Sequence, residues 1–254
     1  MNQTTSSLRS LVETWGARLA AQTSDEAFLE AWSEVLSAIR GHASTGVNGI
    51  EGRLAPFQRR YLALSEGREA EHLLSIDARS EGTLASQAQA GFGRSVFDRL
   101  ADLPVLVDLN RCRRVVVVGC GALPAAAFVI HDATTDTRVS ALEIDPTTAE
   151  VAQRVALRHG SPRLEVLNED GCDHDYADAD VVFVANQATP KPAILARIES
   201  TAPADVAVVL REPEGVGRLL ADALGQPPPP WAVVAGGPTD QRFLSRDVLL
   251  ALSQ

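Results

Sequence analysis

The spacing of apolar positions changes once along the chain. From Ser7 to about Leu103 they recur every three or four residues, as in helices with one buried face. Leu8, Leu11, Val12, Trp15 and Leu19 form a first stripe, and Phe28, Trp32, Val35, Leu36 and Ile39 form a second. Thr23-Ser24-Asp25-Glu26 supplies the cap and early acids that open the second helix. Gly41 to Gly52 is a glycine-rich break. A third helix is predicted from Pro56 to about Ile76, with Phe57, Tyr61, Leu64, Leu73 and Leu74 inside, and a fourth from Leu84 into Leu100.

Beyond Arg113, short apolar runs alternate with helical patterns, which predicts a parallel sheet covered on both faces. The strands are Val115–Val118, Arg138–Glu143, Leu164–Leu167, Asp180–Val184, Val206–Leu210, Trp231–Val234 and Asp247–Leu252, the last antiparallel at the edge. Helices are expected over Leu123–His131, from Asp145-Pro146 to near Gly160, over Pro192–Glu199 and over Val216–Leu224. The expectation is an α/β fold: a seven-stranded Rossmann-like domain over residues 104–254 behind an N-terminal helical bundle over residues 1–103.

Composition narrows the function classes. The 254 residues are 45% hydrophobic, enough for a sizeable core. No apolar run reaches membrane-spanning length, and the polar start, Met1 to Ser7, does not read as a signal peptide. Cys112, Cys120 and Cys172 form no paired framework, which points to a reducing cytoplasm. A net charge of −10 argues against a nucleic-acid partner. Lys191 is the only lysine, so a catalytic lysine would have to be that one. Cys172-Asp173-His174-Asp175 collects metal-ligand types but lacks a spaced partner pair, and no metal is expected.

The chemistry concentrates after the first strand. Four valines lead into Gly119-Cys120-Gly121-Ala122-Leu123-Pro124, and a strand, a glycine turn and a helix start make a nucleotide-binding edge. Glu143 ends the second strand roughly 20 to 25 residues later, where an acid binds ribose hydroxyls. Asp145 caps the following helix. Asp170 with Gly171 follows strand three, placed for a base edge, and Asn186 follows strand four. All lie at the carboxyl edge of the sheet. The G-x-G-x-x-G dinucleotide fingerprint fails at Pro124, and no P-loop occurs. An adenosine ligand without phosphates fits better, and S-adenosylmethionine is the candidate. In the helical region Tyr61, Glu71, His72, Glu81 and Arg94 are polar groups able to face a substrate.

The C-terminal half resembles class I S-adenosylmethionine-dependent transferases. Within them, Gly119-Cys120-Gly121-Ala122-Leu123-Pro124 is similar to the glycine–small–glycine–x–x–proline loop of nicotianamine synthases and of the nicotianamine synthase-like enzymes that build opine metallophores. Ala141-Leu142-Glu143-Ile144-Asp145-Pro146 resembles their second-strand motif, which usually has aspartate where Glu143 stands. A helical N-terminal domain of this size is also a family feature. The resemblance implies transfer of a 3-amino-3-carboxypropyl group to the amine of a small amino acid such as histidine, with release of methylthioadenosine. It implies a cofactor site of Gly119, Cys120, Gly121, Leu123, Pro124, Glu143, Ile144, Asp170, Gly171 and Asn186. The base is then sought at Glu81 or Tyr61, and acceptor contacts at Arg211, His72 and Arg94. Arg211 has an alternative as an ion-pair partner of Glu212 or Glu214. Three other functions share the fold: a small-molecule methyltransferase, cyclisation of S-adenosylmethionine to azetidine-2-carboxylate, and a non-catalytic binding protein whose helical domain forms a homodimer.

Overall fold

A computed structural model describes residues 3–42, 46–76, 83–89, 91–100, 103–160, 162–240, 242 and 244–253. Helices α1 (Gln3–Ala20), α2 (Asp25–Arg40) and α3 (Ala55–Ser75) open the chain, followed by the shorter α4 (Leu84–Gln87), α5 (Phe92–Leu100) and α6 (Leu103–Leu106). Ser24 caps α2 through the backbone N–H of Ala27, at 3.2 Å. The fourth helix expected from Leu84 into Leu100 is broken in two, with Ala88 extended and Gly91 at φ +108° between the pieces.

The second half alternates β1 (Arg114–Val118), α7 (Ala125–Asp132), β2 (Arg138–Glu143), α8 (Pro146–His159), β3 (Leu164–Asn168), β4 (Val181–Val184), α9 (Lys191–Thr201), β5 (Ala207–Pro213), β6 (Trp231–Gly236) and β7 (Ser245–Leu252). The seven-stranded order is β3-β2-β1-β4-β5-β7-β6. The first five strands pair in parallel, and β1 lies at the centre beside β2 and β4. That position explains its unbroken valines: both faces are buried.

Two expectations need correction. The last strand, β7, is not at the edge. It pairs antiparallel with both β5 and β6, which leaves β6 outermost. Nor does a helix cover Val216–Leu224: a 3-10 turn spans Gly215–Leu219, and β5 continues through Arg211, Glu212 and Pro213 because β7 supplies a partner for each.

Three apolar clusters hold the chain together. One face of the sheet, with Val115, Val117, Val139, Phe183 and Val209, packs against Leu73 of α3, Phe97 and Leu100 of α5 and Phe128 of α7. The other face, with Val116, Val182 and Val208, packs against Ile194, Leu195 and Ile198 of α9. The third cluster joins α1 and α2 through Leu8, Trp15, Phe28 and Trp32, and it includes Val216, Leu219 and Leu220, which follow β5. The helical region is therefore not a separate bundle: its cores continue into the sheet half. Helix α3 bridges both, with Phe57, Tyr61 and Leu64 on the α1–α2 cluster and Ala70 and Leu73 on the sheet. Among the described residues, no helix is long and apolar enough to cross a membrane.

Candidate active site

The chain turns sharply out of β1. Gly119 and Cys120 both donate to the carbonyl of Leu142 at 3.0 Å, which ties the turn to the end of β2. Gly119 and Gly121 adopt φ +78° and +67°, left-handed values that disfavour a side chain. Pro124 is the cap of α7, so that helix begins at Ala125 rather than at the Leu123 expected. Leu123 and Cys120 are buried beneath the turn.

Glu143, at the end of β2, reaches back to this turn. Its Oε2 accepts the Gly121 N–H at 2.9 Å, and its Oε1 accepts the N–H of Asp145 at 3.1 Å. Asp145 caps α8 through Thr148 N–H at 2.7 Å, and that bond holds its carboxyl below the usual range. Asn168, unremarked in the sequence, donates to the carbonyls of Glu143 and Ile144 at 2.9 and 3.1 Å, fixing the acid's backbone. Ile144 is 63% exposed beside it, an apolar surface free to cover a flat ring. Asp170 folds into its own turn, its Oδ1 accepting Cys172 N–H at 2.8 Å, and Tyr176 donates its hydroxyl to the Gly171 carbonyl at 2.8 Å. Asn186 follows β4, and its Oδ1 is sealed from solvent with no hydrogen-bond partner among the described residues.

The group that completes this arrangement is Glu66, on α3. Its Oε2 accepts the Ala122 N–H at 3.1 Å. It stands so close over Gly121 that any Cβ there would overlap it. Burial pushes its carboxyl up to about 8, and the neighbouring Glu143 adds to the rise, against the N–H groups of Ala122 and Leu123. One turn along α3, Glu69 is buried at 3% exposure and accepts the Gln89 N–H at 2.9 Å. A Cβ on Gly93 would overlap the Glu69 carboxylate, so that glycine lets α5 close on it. The Cys120 thiol, between Glu66 and Glu143, is pushed well up by burial and by both acids, and stays protonated.

Glu66 and Glu69 were missed, although a signal exists. With Ala70 and Leu73 they occupy positions i, i+3, i+4 and i+7 of α3, a core-facing stripe into which two acids are written.

The other sequence candidates fare differently. Glu81 lies outside the described residues. Tyr61 sits in an aromatic cluster, 5.9 Å from the ring centroids of both Trp32 and Phe92, and burial raises its hydroxyl above its ordinary 10.0, contrary to the needs of a base. Arg211 is not an open acceptor contact. It is buried, donates from Nε and Nη2 to the two carboxylate oxygens of Asp247 at 2.7 and 2.8 Å, and lies 5.1 Å from the Phe183 ring. Its ion-pair partner is thus Asp247, across the β5–β7 ladder, rather than Glu212 or Glu214. His72 Nε2 lies 3.3 Å from the Gln87 carbonyl, and exposed Arg94 donates to the Ser86 carbonyl at 3.1 Å. Both therefore hold α4 in place. Lys191 is buried with its ammonium on Glu212, the Arg211 carbonyl and the Asp222 carbonyl, which commits all three protons.

A class is thereby defined: a parallel sheet with a glycine turn after its central strand, an acid after the next, and a helical region leaning over its carboxyl edge. Solved structures share the fold. MtNAS, a nicotianamine synthase, superposes as a glutamate-to-glutamine variant with TM-score 0.79 at 17% identity, over 96% of this chain and 98% of that one. Its complex with MTA and tNA superposes with TM-score 0.77 at 18% identity, over 97% and 98%. The mitomycin 7-O-methyltransferase MmcR follows with TM-score 0.54 at 18% identity, over 90% and 71%. No protein-family model matches the chain, and no curated protein does. The fold is therefore nicotianamine synthase-like along almost the whole chain, its helical region included.

Proposed function

We propose that this chain transfers the 3-amino-3-carboxypropyl group of S-adenosylmethionine to the amine of a small amino acid, histidine being the first acceptor to test. The amine nitrogen bonds to the γ-carbon, the carbon–sulfur bond breaks, its electron pair stays on sulfur, and methylthioadenosine leaves. The amine's proton goes to a base.

The observation that carries this reading is Glu66. A general base works best with a pKa near the operating pH, and burial brings Glu66 to about 8 beside the turn that would hold the co-substrate. Among the carboxylates described it has the best placement; Glu81, outside them, is the second candidate.

The residues suit S-adenosylmethionine. Glu143 is positioned for ribose hydroxyls, Ile144 and the Asp170–Gly171 turn for the adenine, and the acids around the turn for a sulfonium cation. Cys120, Leu123 and Pro124 shape the floor. The co-substrate complexes of MtNAS, with S-adenosylmethionine and with MTA and tNA, support the same choice.

Incubation with S-adenosylmethionine and histidine should release methylthioadenosine and a product heavier than histidine by one aminocarboxypropyl group. Release of S-adenosylhomocysteine would replace this reading with methyl transfer, and methylthioadenosine formed equally well without an acceptor would replace it with cyclisation.

A further inference from the structure

Cys172-Asp173-His174-Asp175 collects metal-ligand types in the sequence, yet no group of such residues could hold a metal ion among the described residues. The segment belongs to a closed loop, residues 169–176, that follows β3. Asp173 and His174 both donate their backbone N–H to the Asp170 carbonyl, at 2.9 and 3.1 Å. Cys172 donates to Asp170 Oδ1 at 2.8 Å, and the Tyr176 hydroxyl to the Gly171 carbonyl at 2.8 Å. His174 Nδ1 lies 2.9 Å from Glu169 Oε2. The loop is also pressed against the central strand. A Cβ on Gly171 would stand 2.5 Å from Val118 Cγ1, and Val118 leads into Gly119.

These contacts fix the shape of the loop. Its height at the sheet edge is set by α9. Tyr176 buries its ring at one end, in the apolar cluster it shares with Ile194, Leu195 and Ile198 of that helix. Its N–H goes to Thr201 Oγ1 at 3.2 Å. The middle of the loop is held by Arg197. Its Nε donates to the His174 carbonyl at 2.8 Å and its Nη2 to the Asp173 carbonyl at 2.9 Å. Two successive carbonyls thus take two donors of one guanidinium, which suits its planar fork and which a lysine would satisfy only in part. Supporting residues of this kind hold a site to within about 0.5 Å, and a looser shell costs binding.

We infer that Arg197 is the positioning residue for the nucleoside end of S-adenosylmethionine. It holds the loop where Asp170 and Gly171 lie against the adenine, and it touches neither the ligand nor the reacting atoms. This rests on the co-substrate reading above and deepens it. Labour is divided accordingly: Arg197 governs how tightly the nucleoside is held, and the acids around the glycine turn govern what happens to it.

The test is calorimetric titration of wild type, Arg197→Met and Arg197→Lys with S-adenosylmethionine and with methylthioadenosine. The two ligands share the nucleoside and differ in the amino acid end. Arg197→Met should weaken both by the same factor, at least about tenfold, on the scale of lost bonds from a charged donor. Arg197→Lys should recover part of that loss, to within about threefold of wild type. Turnover at saturating co-substrate, followed as release of whichever thioether leaves, should stay within about twofold in both variants. Unchanged affinity in Arg197→Met overturns the proposal. So does a loss confined to S-adenosylmethionine, which would place the effect at the amino acid end. A fall in saturated turnover as large as the fall in affinity overturns it too, because general damage produces that pattern. If Arg197→Met fails to fold by circular dichroism, Tyr176→Phe takes its place. That variant removes only the hydroxyl on Gly171, and the same comparison should show a loss of about threefold. A wild type that binds neither ligand would sink the co-substrate reading itself, a different outcome from any of these.

Discussion

The sheet half and the helical half solve different problems. In the sheet half, polar groups at the strand ends gather along a common edge, and hydrogen bonds between neighbouring strand ends tie them together: Gly119 and Cys120 donate to Leu142, Gly121 to Glu143, and Asn168 to Glu143. The helical half has no such ladder. Among the described residues, α3, a helix pinned at one end by the α1–α2 cluster and at the other by the sheet, reaches the turn through Glu66. Glu66 and Glu69 lie between those anchors. On the proposed reading the sheet half would build the binding edge and the helical half would supply the base, and it could do so only because its cores are continuous with the sheet.

That continuity can be broken first. Trp32 is fully buried among α1, α2 and the segment after β5. Trp32→Ala should lower stability by about 3–5 kcal/mol. Urea unfolding followed by both fluorescence and circular dichroism should remain a single transition. A helical region that melts alone, ahead of the sheet, would show that the two halves are separable after all.

The chemical contrast comes next. Glu66→Gln keeps the shape of the side chain and removes its basicity, so turnover should fall by roughly 10²–10⁴-fold. Methylthioadenosine binding should stay within a few-fold of wild type. Equal turnover, read as methylthioadenosine release, would return the role of base to Glu81. Glu143→Ala belongs to the other half and should do the reverse. Co-substrate affinity should weaken by about 1–3 kcal/mol, the scale of a lost charged hydrogen bond. Unchanged affinity by calorimetry would remove Glu143 from the site.

The smallest expected effect is on stability against pH. Folded, Glu66 keeps its proton up to about pH 8; unfolded, it loses it near its ordinary 4.5. Between those values the folded state binds more protons, so its stability falls as pH rises, and the full cost is present above pH 8. Glu66→Gln removes this titration. The variant should gain on wild type progressively from pH 4.5 to 8, reaching about 1–3 kcal/mol at pH 9 once the partial exposure of the side chain is allowed for. Parallel stability curves for the two proteins would show that Glu66 is not held as a neutral acid.

The alternation of strands and helices, the central valine strand, the glycine turn and the acid after β2 were all legible in the sequence. Each is local: a strand buried on both faces must be apolar throughout, a left-handed turn demands glycine, and a cap must precede its helix. Tertiary structure decided the rest. It inserted β7 between β5 and β6, which extended β5 and gave Arg211 to Asp247 instead of to a substrate. It packed Tyr61 between aromatic rings. It also set Glu66 against Ala122, 56 residues away in the chain. An acid's proton affinity depends on which groups bury it and which charges face it, and no spacing along a helix states what will pack against that helix.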